Sequence, residues 1–153
     1  MMNKLLELLE PGAVKLGLEA GDAREVVSIL GEKLLEAGYV LDTFIEAALQ
    51  RESELPTGLP LAGDFNAAIP HTDIEHVLKP GLALATLIEP VVFHNMVSPE
   101  EDVPVQLVIL MALDEPKAQV EMLQEIAGVL QDAEVINKLM VAKDFNDVQA
   151  ALS

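Results

Sequence analysis

With 153 residues, 51% of them hydrophobic, the chain has the length of a single domain, 1–153, and enough apolar mass to bury a core without covalent staples. Only 4 Phe and 1 Tyr accompany that mass, so the core is aliphatic, and the absence of Cys excludes a disulfide framework, a thiolate zinc site and a cysteine nucleophile. A net charge of -17, from 9 basic against 26 acidic residues, repels nucleic-acid phosphate and steers a basic partner toward the surface.

Residues 1–7 carry Lys4 early and Glu7 inside the apolar stretch, which reads as a helix rather than the basic, uninterrupted opening of a secretion signal. Residues 14–18 read as a strand. Asp22 and Glu25 have capping-box spacing, and Val26, Val27, Leu30, Leu34 and Leu35 recur at helical intervals until Gly38. A second helix opens at Asp42, sets Phe44, Ile45, Ala48 and Leu49 on one face, and ends around residues 51–53, with Arg51 at its C-terminal end. Residues 55–66 hold two prolines and two glycines, so neither a helix nor a central strand runs through them, and they form a fixed loop.

The loop leads into Ala67, Ala68 and Ile69, a short strand, followed by Pro70 and His71 and then an irregular polar stretch, 72–79. Residues 82–88 and 105–113 are apolar without alternation, as in strands covered on both faces, and Val91, Val92 and Phe93 make a shorter strand between them. The longest apolar run, 103–113, falls short of the roughly 20 residues that span a bilayer, so no membrane crossing is expected. Residues 99–102 read as a solvated acidic loop. Pro116 suits the first turn of a helix carrying Val120, Leu123, Ile126, Ala127 and Leu130, and Asp132 and Asn146 can cap two further helices. The expectation is an α/β domain: a mixed sheet of about five strands covered by helices on both faces.

Three histidines are the first candidates for chemistry. His94, at the end of a short strand, reads as a turn residue. His71 has a more constrained frame: a proline fixes the backbone before it, a strand anchors it, and Arg51 stands twenty residues upstream. A neutral imidazole is a nucleophile when a hydrogen bond holds its other nitrogen as the donor. A guanidinium is the side chain best shaped for two-pronged contact with phosphate oxygens. From these residues alone His71 fits a surface-loop histidine as well as a phosphoryl acceptor, and Arg51 fits a cation placed against a helix dipole. A rival chemistry is a metal site from His71, Asp73, Glu75 and His76, although the five-residue spacing of the histidines is not a common zinc pattern. No Gly-x-Ser-x-Gly elbow and no phosphate-cradling glycine loop occurs.

The run Arg-Glu-Ser-Glu-Leu-Pro-Thr-Gly-Leu at 51–59, followed by Ala68, Ile69, Pro70 and His71, resembles the enzyme IIA domains of the bacterial sugar phosphotransferase system. The class is the mannitol/fructose/nitrogen-regulatory one, and the combination with His76 is most similar to its galactitol branch. The resemblance implies that His71 takes a phosphoryl group from the phosphocarrier protein HPr and passes it to the cognate IIB component, with Arg51 stabilising that group. It implies a cytoplasmic phosphotransferase without a cofactor, linked to the membrane only through a IIC component. Mannitol-type members carry a second histidine at the start of the helix after the long buried strand. Gln119 stands at the matching place here, and also fits an exposed polar residue of a first helical turn. The alternative within the same fold is a regulatory module whose phosphorylation state controls a partner protein.

Overall fold

A computed structural model describes residues 4–153. The part of the expected opening helix that falls on Met1, Met2 and Asn3 lies outside them. The strands are β1 (Leu9–Leu18), β2 (Gly58–Leu59), β3 (Ala67–Ala68), β4 (Gly81–His94) and β5 (Asp102–Ala112), side by side in the order β1-β4-β5-β3-β2. β1 runs parallel to β4 and β3 parallel to β5, whereas β4 with β5 and β2 with β3 are antiparallel, so the sheet is mixed.

Side-chain alternation along the two long central strands separates two cores. Ala83, Ala85, Val108 and Leu110 face α2 (Ala23–Glu36) and α3 (Phe44–Glu54), meeting Val26, Val27, Leu30, Leu34, Phe44 and Ala48. Leu82, Leu84, Leu107 and Ile109 point the other way. There they meet Leu5 of α1 (Lys4–Leu8), Met122 and Ile126 of α4 (Pro116–Leu130), Leu139 of α5 (Ala133–Val141) and Val148 of α6 (Phe145–Leu152). Both faces are thus covered, which is why these strands lack a polar alternate: each of their Val, Leu and Ile side chains left in water would forgo about 1.5–3 kcal/mol.

Helix ends follow their local chemistry. Asp22 Oδ1 accepts from Glu25 N–H, while Glu25 Oε1 reaches back to Gly21 N–H, one residue before the cap. Gly38, at φ 84°, closes α2: its N–H donates to Leu35 O and the N–H of Tyr39 to Leu34 O, the paired bonds of a Schellman ending. Asp132 caps α5 as expected, accepting from Glu134 and Val135 N–H. The last helix is capped by Asp144, not Asn146, because the Asp144 carboxylate accepts from Asp147 N–H and the helix begins at Phe145.

The strand count of five is met by a different set. Residues 82–88 and 91–93, read as two strands, form the single strand β4, which shifts register between Thr86 and Val91 where Glu89 and Pro90 face solvent. The missing fifth strand is β2, inside the Pro/Gly-rich loop, where a two-residue edge strand escapes the objection to a central one. The first turn of α3 begins at Phe44 with Thr43 at its cap, rather than at Asp42. The loop is pinned by Asn66: its Oδ1 accepts from Leu61 N–H, its Nδ2 donates to Pro104 O and its N–H to Gln106 Oε1. Gly58 meets the end of β4 so closely that a Cβ there would lie 2.5 Å from the His94 carbonyl oxygen. No helix among the described residues is long and apolar enough to cross a membrane.

Candidate functional site

His71 follows β3, and the register of that strand determines where it sits. Ala67 and Ala68 pair with Leu107 and Val108 of β5, and the ladder continues as Met111 N–H donates to Pro70 O at 3.0 Å. Proline holds its own φ and biases Ile69 toward an extended conformation, so the backbone leading into His71 is anchored before any side chain acts. The ring then folds back on its own strand: His71 Nδ1 lies 2.8 Å from Ile69 O. A carbonyl oxygen only accepts, so Nδ1 carries the proton and the lone pair lies on Nε2. No hydrogen bond within the described residues engages Nε2.

Only 9% of His71 is exposed. Burial lowers the pKa of the ring below the usual 6.5 because the charged imidazolium loses its hydration. The Ile69 bond and the charge of Asp73 work against that shift, and the charge of Arg51 reinforces it. The result is a neutral ring at physiological pH with one defined tautomer, the state a nitrogen nucleophile needs.

Arg51 enters from the last turn of α3, where Leu55 N–H caps its carbonyl at 2.7 Å. Its Nη1 lies 3.5 Å from Asp73 Oδ1, two residues beyond His71, so the guanidinium and the imidazole share one side of the molecule. The pair is a long contact to an exposed carboxylate, worth little as a stabilising ion pair. Arg51 Nε, in contrast, is buried and without a hydrogen-bond partner among the described residues. An unsatisfied buried donor costs free energy, and a bound anion would remove that cost.

Gln119 enters from the opposite face of the sheet. Pro116 opens α4, and Gln119, one turn in, donates from Nε2 to Thr72 O at 2.9 Å. The residue is half-buried and holds the backbone after His71 in place; it is not the exposed polar side chain that its position in a first helical turn also allowed. His76 goes elsewhere. Its Nδ1 lies 2.8 Å from Thr43 Oγ1 and its carbonyl accepts from Leu41 N–H, which ties the 3₁₀ turn Ile74–His76 to the start of α3. Of the side chains of His71, Asp73, Glu75 and His76 only the last two meet, with His76 Nε2 3.8 Å from Glu75 Oε1, and among the described residues no three His, Asp or Glu side chains converge on one metal position. His94, read as a turn residue, is instead the last residue of β4, exposed, with Nδ1 3.4 Å from Asp102 Oδ1 on the facing strand.

Two residues to which sequence reasoning gave no role lie behind the ring. Both oxygens of Glu52 accept from Thr57, Oε1 from the hydroxyl at 2.8 Å and Oε2 from the N–H at 2.8 Å. Thr57 Oγ1 in turn accepts from Ile69 N–H at 3.2 Å. Burial pushes the Glu52 carboxyl up to about 7, although the two Thr57 bonds and the charge of Arg51 pull it down. The only hint in the sequence was that both residues lie within the run at 51–59, where Pro56 turns the chain back and makes a five-residue separation a side-chain contact.

Residues 7–153 match the family model described as the phosphoenolpyruvate-dependent sugar phosphotransferase system, EIIA 2. The chain is 32% identical over 127 residues to the galactitol-specific EIIA component of the phosphotransferase system of Escherichia coli strain K12, covering 83% of each chain. Among solved structures it is similar to the IIA mannitol crystal structure from Escherichia coli, with a TM-score of 0.78 and 29% identity over 95% of this chain and 99% of that one. It also superimposes on a complex of enzyme IIA and phosphorylated enzyme IIB for mannitol from the same organism, with a TM-score of 0.77 and 30% identity, covering 94% and 96% of the two chains.

Proposed function

The chain belongs to the phosphoenolpyruvate-dependent sugar phosphotransferase system EIIA 2 family, and from that premise we propose that it carries a phosphoryl group on His71, taken from phospho-HPr and passed to a cognate IIB component. The observation that carries this reading is the 2.8 Å contact from His71 Nδ1 to Ile69 O, which leaves the Nε2 lone pair free on a ring that burial keeps neutral.

The chemistry is an in-line displacement at phosphorus. As Nε2 approaches, a bond from Nε2 to phosphorus forms while the bond from phosphorus to the donor nitrogen of HPr breaks, and that nitrogen keeps the electron pair. The His71 proton stays on Nδ1, where Ile69 O stabilises the positive charge that the ring gains. The loose transition state spreads negative charge over three oxygens, so catalysis rests on positioning and on donors already aimed at them. Arg51 supplies those donors, including the unpartnered Nε, at a site with no requirement for a metal or nucleotide. Gln119 acts by holding Thr72 and hence the backbone on the far side of the ring. Transfer to IIB reverses the displacement with a IIB side chain as nucleophile.

Docking must be transient, since each transfer ends in release. Leu55 directly follows α3, Val120 follows Gln119, and Leu41 and Leu78 flank the segments tied by His76; all four are exposed and are candidates for contact with a docking partner. The charge of -17 favours encounter with a basic patch on the partner. In this reading the protein works in the cytoplasm and meets the membrane only through a IIC component. The galactitol-specific relative favours galactitol or a related sugar, and favours transport over regulation. Incubation with phosphoenolpyruvate, enzyme I and HPr, followed by mapping of acid-labile phosphate, tests the core of the proposal: the label is expected on His71, and label on any other residue refutes it. Neighbouring genes for IIB and IIC components, with uptake of galactitol lost on deletion, test the sugar.

A further inference from the structure

We infer that Glu52 is a positioning residue for the transfer: through Thr57 and the peptide of Ile69 it holds the His71 ring in the orientation and tautomer that expose Nε2. The inference rests on the reading of His71 as phosphoryl acceptor, but its first test does not.

The links have a fixed polarity. Ile69 O is the acceptor for His71 Nδ1, so its position sets the direction of the ring. Ile69 N–H, at the other end of the same residue, donates to Thr57 Oγ1 at 3.2 Å; its alternative, Thr57 O, is farther at 3.4 Å. Because Thr57 Oγ1 accepts from Ile69, the single hydroxyl proton is free to point at Glu52 Oε1, and the adjacent Thr57 N–H points at Oε2. Both carboxylate oxygens are needed to satisfy both donors. Thr57 is 3% exposed, so water cannot take over its hydroxyl without opening the loop.

Glu52 is costly in this place. Burial works against its ionisation and lifts it to about 7, a cost that an apolar side chain of similar length would not carry. The loop has other anchors in the three Asn66 bonds and the pairing of β2 with β3, so Glu52 is not required to keep the loop closed. What it adds is directional control over one hydroxyl and one N–H, two bonds away from the nucleophile.

Two measurements on the full chain test this. The first is the imidazole ¹⁵N spectrum of unphosphorylated protein, which distinguishes the Nδ1–H from the Nε2–H tautomer. Wild type is expected to show His71 as Nδ1–H. Glu52→Gln, whose amide has one acceptor oxygen, and Thr57→Val, which keeps the shape and loses the hydroxyl, are each expected to introduce Nε2–H character. The second is the rate of transfer from phospho-HPr, expected to fall about tenfold in either variant, the order that one lost bond to a charged acceptor produces. The double variant is expected to fall no further than the singles, since the two residues act in one chain of bonds. Thr57→Ser, which retains the hydroxyl, is expected to recover most of the rate lost in Thr57→Val. Unchanged ring signals in both variants, or a slower rate without any change in those signals, overturns the inference. Label on a residue other than His71 overturns the acceptor assignment instead, and leaves the tautomer result standing.

Discussion

His71, just beyond β3, and His94, the last residue of β4, lie at opposite ends of β5, and the fold treats them in opposite ways. His94 faces Asp102 across the first rung of that ladder and is exposed to water, with a carboxylate for a neighbour. His71 lies beside the other end, next to the bond between Met111 and Pro70, buried and with a backbone carbonyl on one nitrogen. A carbonyl fixes which nitrogen holds the proton, and burial suppresses a second proton. The comparison shows that a ring's immediate partner and its loss of water, not its position along a strand, fix the neutral Nδ1–H tautomer that the proposed role of His71 requires.

The sharpest way to break that comparison is to delete each ring in turn. His71→Ala is expected to abolish phosphate labelling from phospho-HPr, while His94→Ala leaves the labelling rate unchanged; both should keep the cooperative unfolding of the wild type. Labelling that survives His71→Ala reverses the assignment.

Arg51→Lys keeps the charge beside the buried ring and probes the geometry of its donors. If Arg51 grips the phosphoryl group as proposed, replacing a planar fork by a point charge removes at least one charge-assisted bond, worth about 1.5–3 kcal/mol, and transfer should slow about tenfold to a hundredfold. Single-turnover kinetics with phospho-HPr reads this directly, and an unchanged rate makes Arg51 a purely structural partner of Asp73.

Gln119→Ala is a milder perturbation. Loss of the bond to Thr72 O, worth about 0.5–1.5 kcal/mol, should reduce the rate roughly twofold to tenfold, with little effect on thermal unfolding. A loss as large as that for Arg51→Lys would indicate direct contact with the phosphoryl group.

A pH dependence of stability probes two groups that oppose each other, the half-buried Glu52 and the buried His71. The folded pKa of Glu52, about 7 against an ordinary 4.5, is raised, so in that window the folded state binds more protons than the unfolded one. Its contribution is fully present below 4.5 and is lost as pH rises toward 7, by roughly 2–3 kcal/mol. The folded pKa of His71 is lowered, so its contribution has the opposite sign: stability falls as pH drops below 6.5. Denaturant unfolding of Glu52→Gln across pH 4.5–7 should lose the first dependence and steepen the fall toward acid. An unchanged pH profile would mean that the Glu52 carboxyl is not shifted.

Much of this molecule was legible in its residues because the signals were local. Capping at Asp22 and Asp132, the stop at Gly38, and the unalternated runs that became β4 and β5 each depend on neighbours within a few positions. Where two local signals competed, the reading slipped. Asn146 and Asp144 both suit a cap, and only the path of the chain selected the earlier one. Residues 82–88 and 91–93 read as two strands, yet Ile88, Glu89 and Pro90 between them face water at a register shift, and the strand resumes beyond. The brief strand β2 left no mark in a loop dense with proline and glycine.

The order of residues by itself determined an aliphatic α/β domain, the position of a histidine behind a proline, and the family resemblance carried by the run at 51–59. It did not determine which nitrogen of that histidine is free, nor that Glu52, Thr57 and Ile69 stand in line behind it, nor that Gln119 reaches Thr72 from the far face of the sheet. Those facts needed the folded chain, because hydrogen bonds between groups 12 or 47 positions apart depend on strand register and helix placement. Neither leaves a period or a spacing in the sequence.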